Sequence, residues 1–124
     1  MIRGLVKSYE ASAVIGAYLI VAFADAANNS KVAVATGSAQ PLVGTTGKVG
    51  VSAAGQMVDV ERTDMPQVTL GGVVGAGDWL TSDAAGRAIK VSAAGQRTIG
   101  QADRPGDAGD IITYLAAPGV VGGV

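Results

Sequence analysis

The tightest constraint on this chain is the shortness of its apolar runs. No stretch sustains a helical period. Instead, β-prone runs recur at Val14–Val21, Val32–Ala35, Lys48–Ser52, Met57–Val60, Val68–Leu70, Trp79–Thr81, Ala88–Ser92, Thr98–Gln101 and Ile111–Leu115. Small residues punctuate them: Gly44, Gly47, Ala54-Gly55, Gly75-Ala76-Gly77, Ala85-Gly86, Ala94-Gly95, Gly106 and Gly109. Runs of this length bounded by Gly and Asp are short strands joined by tight turns. The expectation is an all-β chain. The best helix candidate is Ala24–Asn29, no more than one turn, while two glycines weaken any helix over Leu70–Val74.

The turns repeat themselves. VSAAGQ occurs at 51–56 and again at 91–96, with a relative, SDAAGR, at 82–87. Glycine takes positive φ without a Cβ penalty, and Asp83 can accept bonds from the turn backbone. Gly55, Gly86 and Gly95 are therefore read as hairpin tips. A phosphate-binding loop would need G-x-x-x-x-G-K-[ST] leading into a helix, and no copy has it. A tandem duplication is poorly supported, because similarity fades outside the hexapeptide.

A chain of 124 residues is one domain. It contains no Cys and no His. That removes disulfides, thiolate nucleophiles, Ser-His-Asp triads and ordinary zinc sites. A net charge of −1 with scattered Lys and Arg argues against nucleic acid as a partner. The apolar run 11–24 ends in Ala22-Phe23-Ala24, an A-x-A pattern that could close a signal peptide. Glu10 interrupts its lead-in, and the run is shorter than the ~18 residues of a membrane span. It is read as a buried strand, with no membrane partner and synthesis in the cytoplasm.

Acidic residues offer the remaining chemistry. Asp103, Asp107 and Asp110 share one short segment that could hold a hard cation, but the spacing is not an EF-hand and a solvated turn is the better reading. Asp59, Glu61 and Asp64 could supply an acid and a base, yet no nucleophile or oxyanion signature accompanies them. Asp59 and Glu61 alternate with Val58 and Val60, as on the wet face of a strand. Trp79, the only tryptophan, could form a ligand platform or an interface anchor with Tyr18 and Tyr114, although a core role with its polar tip reaching a partner is the default. No catalytic, cofactor-binding or metal-binding residue is assigned.

The segment Gly77-Asp78-Trp79-Leu80-Thr81-Ser82-Asp83-Ala84-Ala85-Gly86-Arg87-Ala88 resembles the G-D-x-[LV]-x-x-D-A-x-G-[KR]-A segment of small tailed-bacteriophage capsid decoration, or cement, proteins. Ile99-Gly100-Gln101-Ala102 and Ala108-Gly109-Asp110-Ile111-Ile112 follow in the family's order, and Lys31–Gly37 is similar to its upstream V-A-V-x-x-x-G. The resemblance covers roughly 31–117. It implies a compact β-barrel or β-tulip-like domain, commonly trimeric, on the outside of an icosahedral head. There it would clamp major capsid subunits at three-fold and quasi-three-fold positions without catalysis. The alternatives are another virion β-protein, such as a head fibre base or tail component, or a ligand-binding or enzymatic β-barrel.

The expected organisation is an N-terminal arm over 1–10, a β domain over 11–117 and a C-terminal tail over 118–124. Ile2, Leu5 and Val6 are apolar, while Arg3, Gly4 and Lys7 break any stripe. This arm is expected to contact the shell or a neighbouring subunit.

Overall fold

A computed structural model describes residues 6–25, 28–47, 50–61 and 65–122. Ten strands and no helix are found among them: β1 (Val6–Ala11), β2 (Ile20–Asp25), β3 (Asn28–Val34), β4 (Leu42–Thr46), β5 (Met57–Glu61), β6 (Gln67–Thr69), β7 (Trp79–Ser82), β8 (Ala88–Lys90), β9 (Arg97–Ala102) and β10 (Ile111–Val120). The first five close a barrel in the order β1-β3-β2-β4-β5, and the last five form a sheet ordered β6-β10-β9-β7-β8.

These two halves have the same topology and the same register. In the first, Ile20 pairs with Thr45 and Val21 with Gly44; in the second, Trp79 pairs with Gln101 and Leu80 with Gly100. Val21↔Val34, Ala22↔Ala33 and Phe23↔Val32 recur as Leu80↔Lys90, Thr81↔Ile89 and Ser82↔Ala88. Thr45↔Glu61 and Thr46↔Val60 recur as Gln101↔Leu115 and Ala102↔Tyr114. Ser8↔Asp59, Tyr9↔Val58 and Glu10↔Met57 recur as Gln67↔Thr113, Val68↔Ile112 and Thr69↔Ile111. Even the parallel step Ala11↔Val32 returns as the isolated bridge Leu70↔Ala88. The fold is therefore an internal structural repeat, which the fading sequence similarity did not announce. The two copies of VSAAGQ do not mark it, since they fall at places that do not correspond.

Each half also crosses two loops. In the second, Val74 and Gly106 exchange backbone hydrogen bonds of 3.0 and 3.1 Å. Gly77 N donates to Ala102 O as Gly109 N does to Leu70 O, each at 2.8 Å. Leu70 N donates to Asp110 O and Ala102 N to Asp78 O. These reciprocal bonds relate the two loops by a local two-fold axis. In the first half Ile15 and Val51 take the same roles, with Gly55 N on Ala11 O and Ala11 N on Gln56 O. The crossing satisfies loop backbone groups that would otherwise be buried unpaired.

Several expectations are corrected by this arrangement. The run Val14–Val21 is a crossed loop up to Leu19, and β2 begins only at Ile20. The described residues of Ala24–Asn29 are strand, not helix: β2 runs to Asp25 and β3 starts at Asn28. The expected arm over 1–10 overlaps β1, which pairs with β5 from Val6 onward. The expected tail over 118–124 overlaps β10, where Gly119 and Val120 pair with Thr98 and Arg97 after a bulge. Backbone pairing sets both boundaries, and it operates where side-chain patterning is weak.

Two cores result. The inner barrel core gathers Tyr9, Ala11, Ile15, Val21, Val32, Val43, Val58 and Val60, with Phe23 packed alongside. The Tyr9 and Phe23 rings meet edge to face at 5.9 Å. The second core is shared: Ile20, Ala22 and Ala35 of the barrel join Val68, Leu70, Leu80, Ile99, Ile112 and Tyr114. β2 thus buries both faces, which is why its sequence reads as a continuous apolar run rather than an alternation.

Candidate interaction surface

The seam between the halves is built from main-chain bonds. Ile20 N donates to Gly86 O (2.7 Å), Thr69 N to Tyr18 O (2.8 Å) and Arg97 N to Ser38 O (2.9 Å). Tyr114 and Thr45 hydroxyls lie 3.0 Å apart in the shared core. Burial pushes the Tyr114 phenol well above the usual tyrosine range; the Thr45 bond opposes this and the charge of Glu61 adds to it.

Gly86 lies in the β7–β8 connection with φ +77°. Asp83 Oδ1 accepts from Ala85 N (2.8 Å) and Arg87 N (2.9 Å), which holds the turn closed. This tip abuts the barrel rather than solvent: a Cβ on Gly86 would come within 2.6 Å of Val34 and 3.0 Å of Ile20 O. Gly55 and Gly95 each have φ +88° with open space around them. Gly95 is not at a hairpin tip, because β8 and β9 flank β7 rather than each other. Gly55 N is bonded to Ala11.

What the sequence reading missed in VSAAGQ is the glutamine. Gln56 Oε1 accepts from Ser52 N (3.0 Å) and Gln96 Oε1 from Ser92 N (2.7 Å). Gln40 does the same for Thr36 N at 2.6 Å. Each glutamine closes a turn by bonding the amide four residues earlier. The shared S/T-x-x-x-Q spacing was the available signal, and it links 36–40 to 92–96, which do correspond.

The acidic candidates are structural in their visible contacts. Asp110 Oδ2 accepts from Asp107 N (2.9 Å), just as Asp78 Oδ2 accepts from Gly75 N (2.7 Å) at the corresponding place in the other crossed loop. Asp103 takes the Thr113 hydroxyl at 3.4 Å. Among the described residues no three Asp, Glu, His or Cys gather where a cation could be held. Asp64, Ile2 and Leu5 lie outside the described residues, and Val6 stands at the start of β1. Tyr114 is enclosed, so it joins no surface platform with Trp79.

Exposed apolar side chains remain, and several of them correspond between the halves. Val14 (63% exposed) matches Val73 (75%), and Met57 (61%) matches Ile111 (48%). Trp79 breaks the parallel. It is 38% exposed, not a core residue, whereas its counterpart Ile20 is fully buried. Beside it a shallow cleft of about 340 Å³ opens between Trp79, Thr98 and the chain 117–122. Among the described residues, no helix is long and apolar enough to cross a membrane.

The geometry defines a class: an all-β protein of repeated crossed-loop units, in which several polar side chains close turns and several apolar side chains are exposed. The sequence matches no protein-family model and no curated protein. Among solved structures it is similar to the N base of the head fibre protein gp8.5 of bacteriophage phi29. The two share 18% identity with a TM-score of 0.72, over 91% of this chain and 93% of that one. The likeness establishes a common fold.

Proposed function

We propose that the chain is a structural protein of a phage virion, acting as a head-attached base in the manner of a head fibre. The observation that carries this is the near end-to-end fold match with a head fibre base. The surface is compatible with it: Val14, Val73, Met57 and Ile111 are exposed, and Asp78 and Asp110 hold turn amides. The partners in this reading are the major capsid protein and other copies of the chain, in a trimer on the outer surface of the head. No catalysis and no cofactor enter. A protein that binds the assembled shell but not free subunits stabilises the shell by mass action. Three linked copies turn weak single contacts into firm attachment.

Decoration of the capsid is the second reading. It is favoured by the order of Gly77–Ala88, Ile99–Ala102 and Ala108–Ile112, which is similar to decoration proteins. Mixing the purified protein with heads lacking it, followed by sedimentation and imaging, tests both. Binding to heads is the expected result; a protein that stays in the supernatant overturns the virion reading. Density projecting beyond the bound domain in native virions marks a fibre base. A bare cap at every equivalent position marks decoration.

A further inference from the structure

The repeated hexapeptide VSAAGQ makes the same main-chain clasp in both places. Gly55 N donates to Ala11 O and Ala11 N to Gln56 O, each at 2.8 Å; Gly95 N donates to Val121 O (2.8 Å) and Val121 N to Gln96 O (2.9 Å). The glycine has φ +88° in each. Gly77-Asp78 holds Ala102 and Gly109-Asp110 holds Leu70 by the same two bonds. All four gripped residues are apolar and buried. Three of these clasps belong to the crossed loops. The fourth, at Gly95-Gln96, does not: its place in the first half is Ala39-Gln40, and no such pair of bonds is found there among the described residues. The stretch that brings Val121 to this clasp is loosely seated. Ala117, Pro118, Gly119 and Val120 are exposed, and clefts of about 250 and 340 Å³ border Pro118, Gly119 and Val120. Pro118 has no amide hydrogen to give the ladder, and the β9–β10 register slips between Ala116 and Gly119.

We infer that this clasp takes Val121 from a second copy of the chain, so that the strand section past the β10 bulge is exchanged between copies. The clasp bonds only the backbone N–H and C=O of the residue it holds, and another chain supplies these as well as its own does. The ladder pairs Gly119↔Thr98 and Val120↔Arg97 carry over unchanged. Closed and exchanged forms therefore differ mainly over 116–119, where the ladder is already broken. Pro118 keeps Ala117 out of the helical region and extended, which suits a bend opened out toward a neighbour. Four extended residues span at most about 14 Å, so the neighbouring β9 must lie close by. Each copy gives one section and receives one, and such an exchange is a low-cost route to a closed assembly. The inference rests on the self-association in the proposed function and not on capsid binding.

Arg97 and Val120 are exposed cross-strand partners, and the chain has no cysteine of its own. Arg97→Cys and Val120→Cys are made singly and together in the full chain. The two single variants are unfolded, mixed in equal amounts and refolded over a concentration series. Mild oxidation, a non-reducing gel and peptide mapping then locate the disulfide, and sedimentation velocity follows the wild type over the same series. The expected result is a 97–120 bond joining one chain of each variant, in a share that grows with concentration, with a matching rise in wild-type mass. The double variant is expected to close on itself when dilute and to link into covalent multimers when concentrated. A wild type that stays monomeric overturns the inference, whatever the variants do. So do chains joined only from 120 to 120, or a double variant that closes within each chain at every concentration. Binding to heads by protein whose 97–120 bond stays within each chain overturns the exchange and leaves the virion reading standing. Exchange in a protein that ignores heads upholds this interface and sinks the virion reading.

Discussion

Lys31 and Arg87 stand at corresponding places in the two halves and take different partners. Lys31 reaches across the closing seam of the barrel to Glu10 at 3.4 Å. Arg87 finds Thr69 at the place of Glu10 and turns back to Asp83 of its own hairpin, 3.5 Å away. The first half closes through two residue pairs, Glu10↔Lys31 of that ion pair and Ala11↔Val32; the edges of the second meet at the single bridge of Leu70 and Ala88. Both ion pairs are exposed enough to contribute little energy. The difference teaches that one ladder can serve two ends. The first half is sealed and supplies a wall to the shared core, and the second stays open at its edge and depends on that wall.

Substitutions at corresponding positions test how far the halves are equivalent. The largest effect is expected at Gly100, where a Cβ would overlap Leu115 O and φ is +145°. Gly44 faces the corresponding carbonyl, Glu61 O. Gly100→Ala should cost about 4 kcal/mol or more and Gly44→Ala somewhat less, since of these two only Gly100 combines strain at a special φ with overpacking. Denaturant melts measure both. Near-neutral behaviour at either glycine would break the correspondence.

Next come the turn glycines. Gly86→Ala meets both a positive φ and the packed barrel, so about 2–3 kcal/mol is expected. Gly95→Ala meets the φ alone, in open space, and should cost about 1 kcal/mol. Equal losses would show that the β7–β8 tip is not seated on the barrel.

The Thr45–Tyr114 bond ties the halves together. Tyr114→Phe should lose about 1–2 kcal/mol, and Thr45→Val combined with it should lose less than the sum of the two. The pH response follows from burial. A phenol whose folded pKa is raised contributes stability that is full below the unfolded value and lost as pH rises through the folded one. The wild type should therefore weaken above about pH 10 more steeply than Tyr114→Phe. Melts from neutral to alkaline pH check the slope.

The smallest effect should be a gain. Thr81 Oγ1 is buried without a hydrogen-bond partner, and the first half has Ala22 at that place. Thr81→Val keeps the shape and removes the unmet group, so about 1 kcal/mol of added stability is expected by thermal melt.

Much of the fold was legible from residues. Seven of the strands lie under apolar runs bounded by glycine, and the Asp83–Arg87 turn follows from the chemistry of its ends. The repeat was not legible, for a physical reason. Backbone bonds specify it, and these leave few residues in common: Val14 with Val73, Gly16 with Gly75, Ala17 with Ala76, Gln40 with Gln96, Gly44 with Gly100. At one crossed-loop position Gly77 takes a φ of +86° while Tyr18 takes +54° in the other half; at the other, Gly55 and Gly109 share both the glycine and a positive φ, +88° and +91°. Trp79 was legible as an interface anchor by residue type but was assigned to the core by default, because the neighbours that leave it exposed come from β9 and the end of β10, distant in sequence.

The Gly86 tip has a consequence for how the molecule is made. The amide of Ile20 waits for a carbonyl that lies in the other half. On a ribosome, the first five strands emerge with one wall of β2 bare, and they stay so until the β7–β8 hairpin arrives. At roughly 5–20 residues per second, the stretch from Glu61 to Gly86 takes on the order of one to five seconds. During that interval the nascent barrel presents Ile20, Ala22 and Ala35 to whatever is nearby, including the same wall on chains growing alongside it.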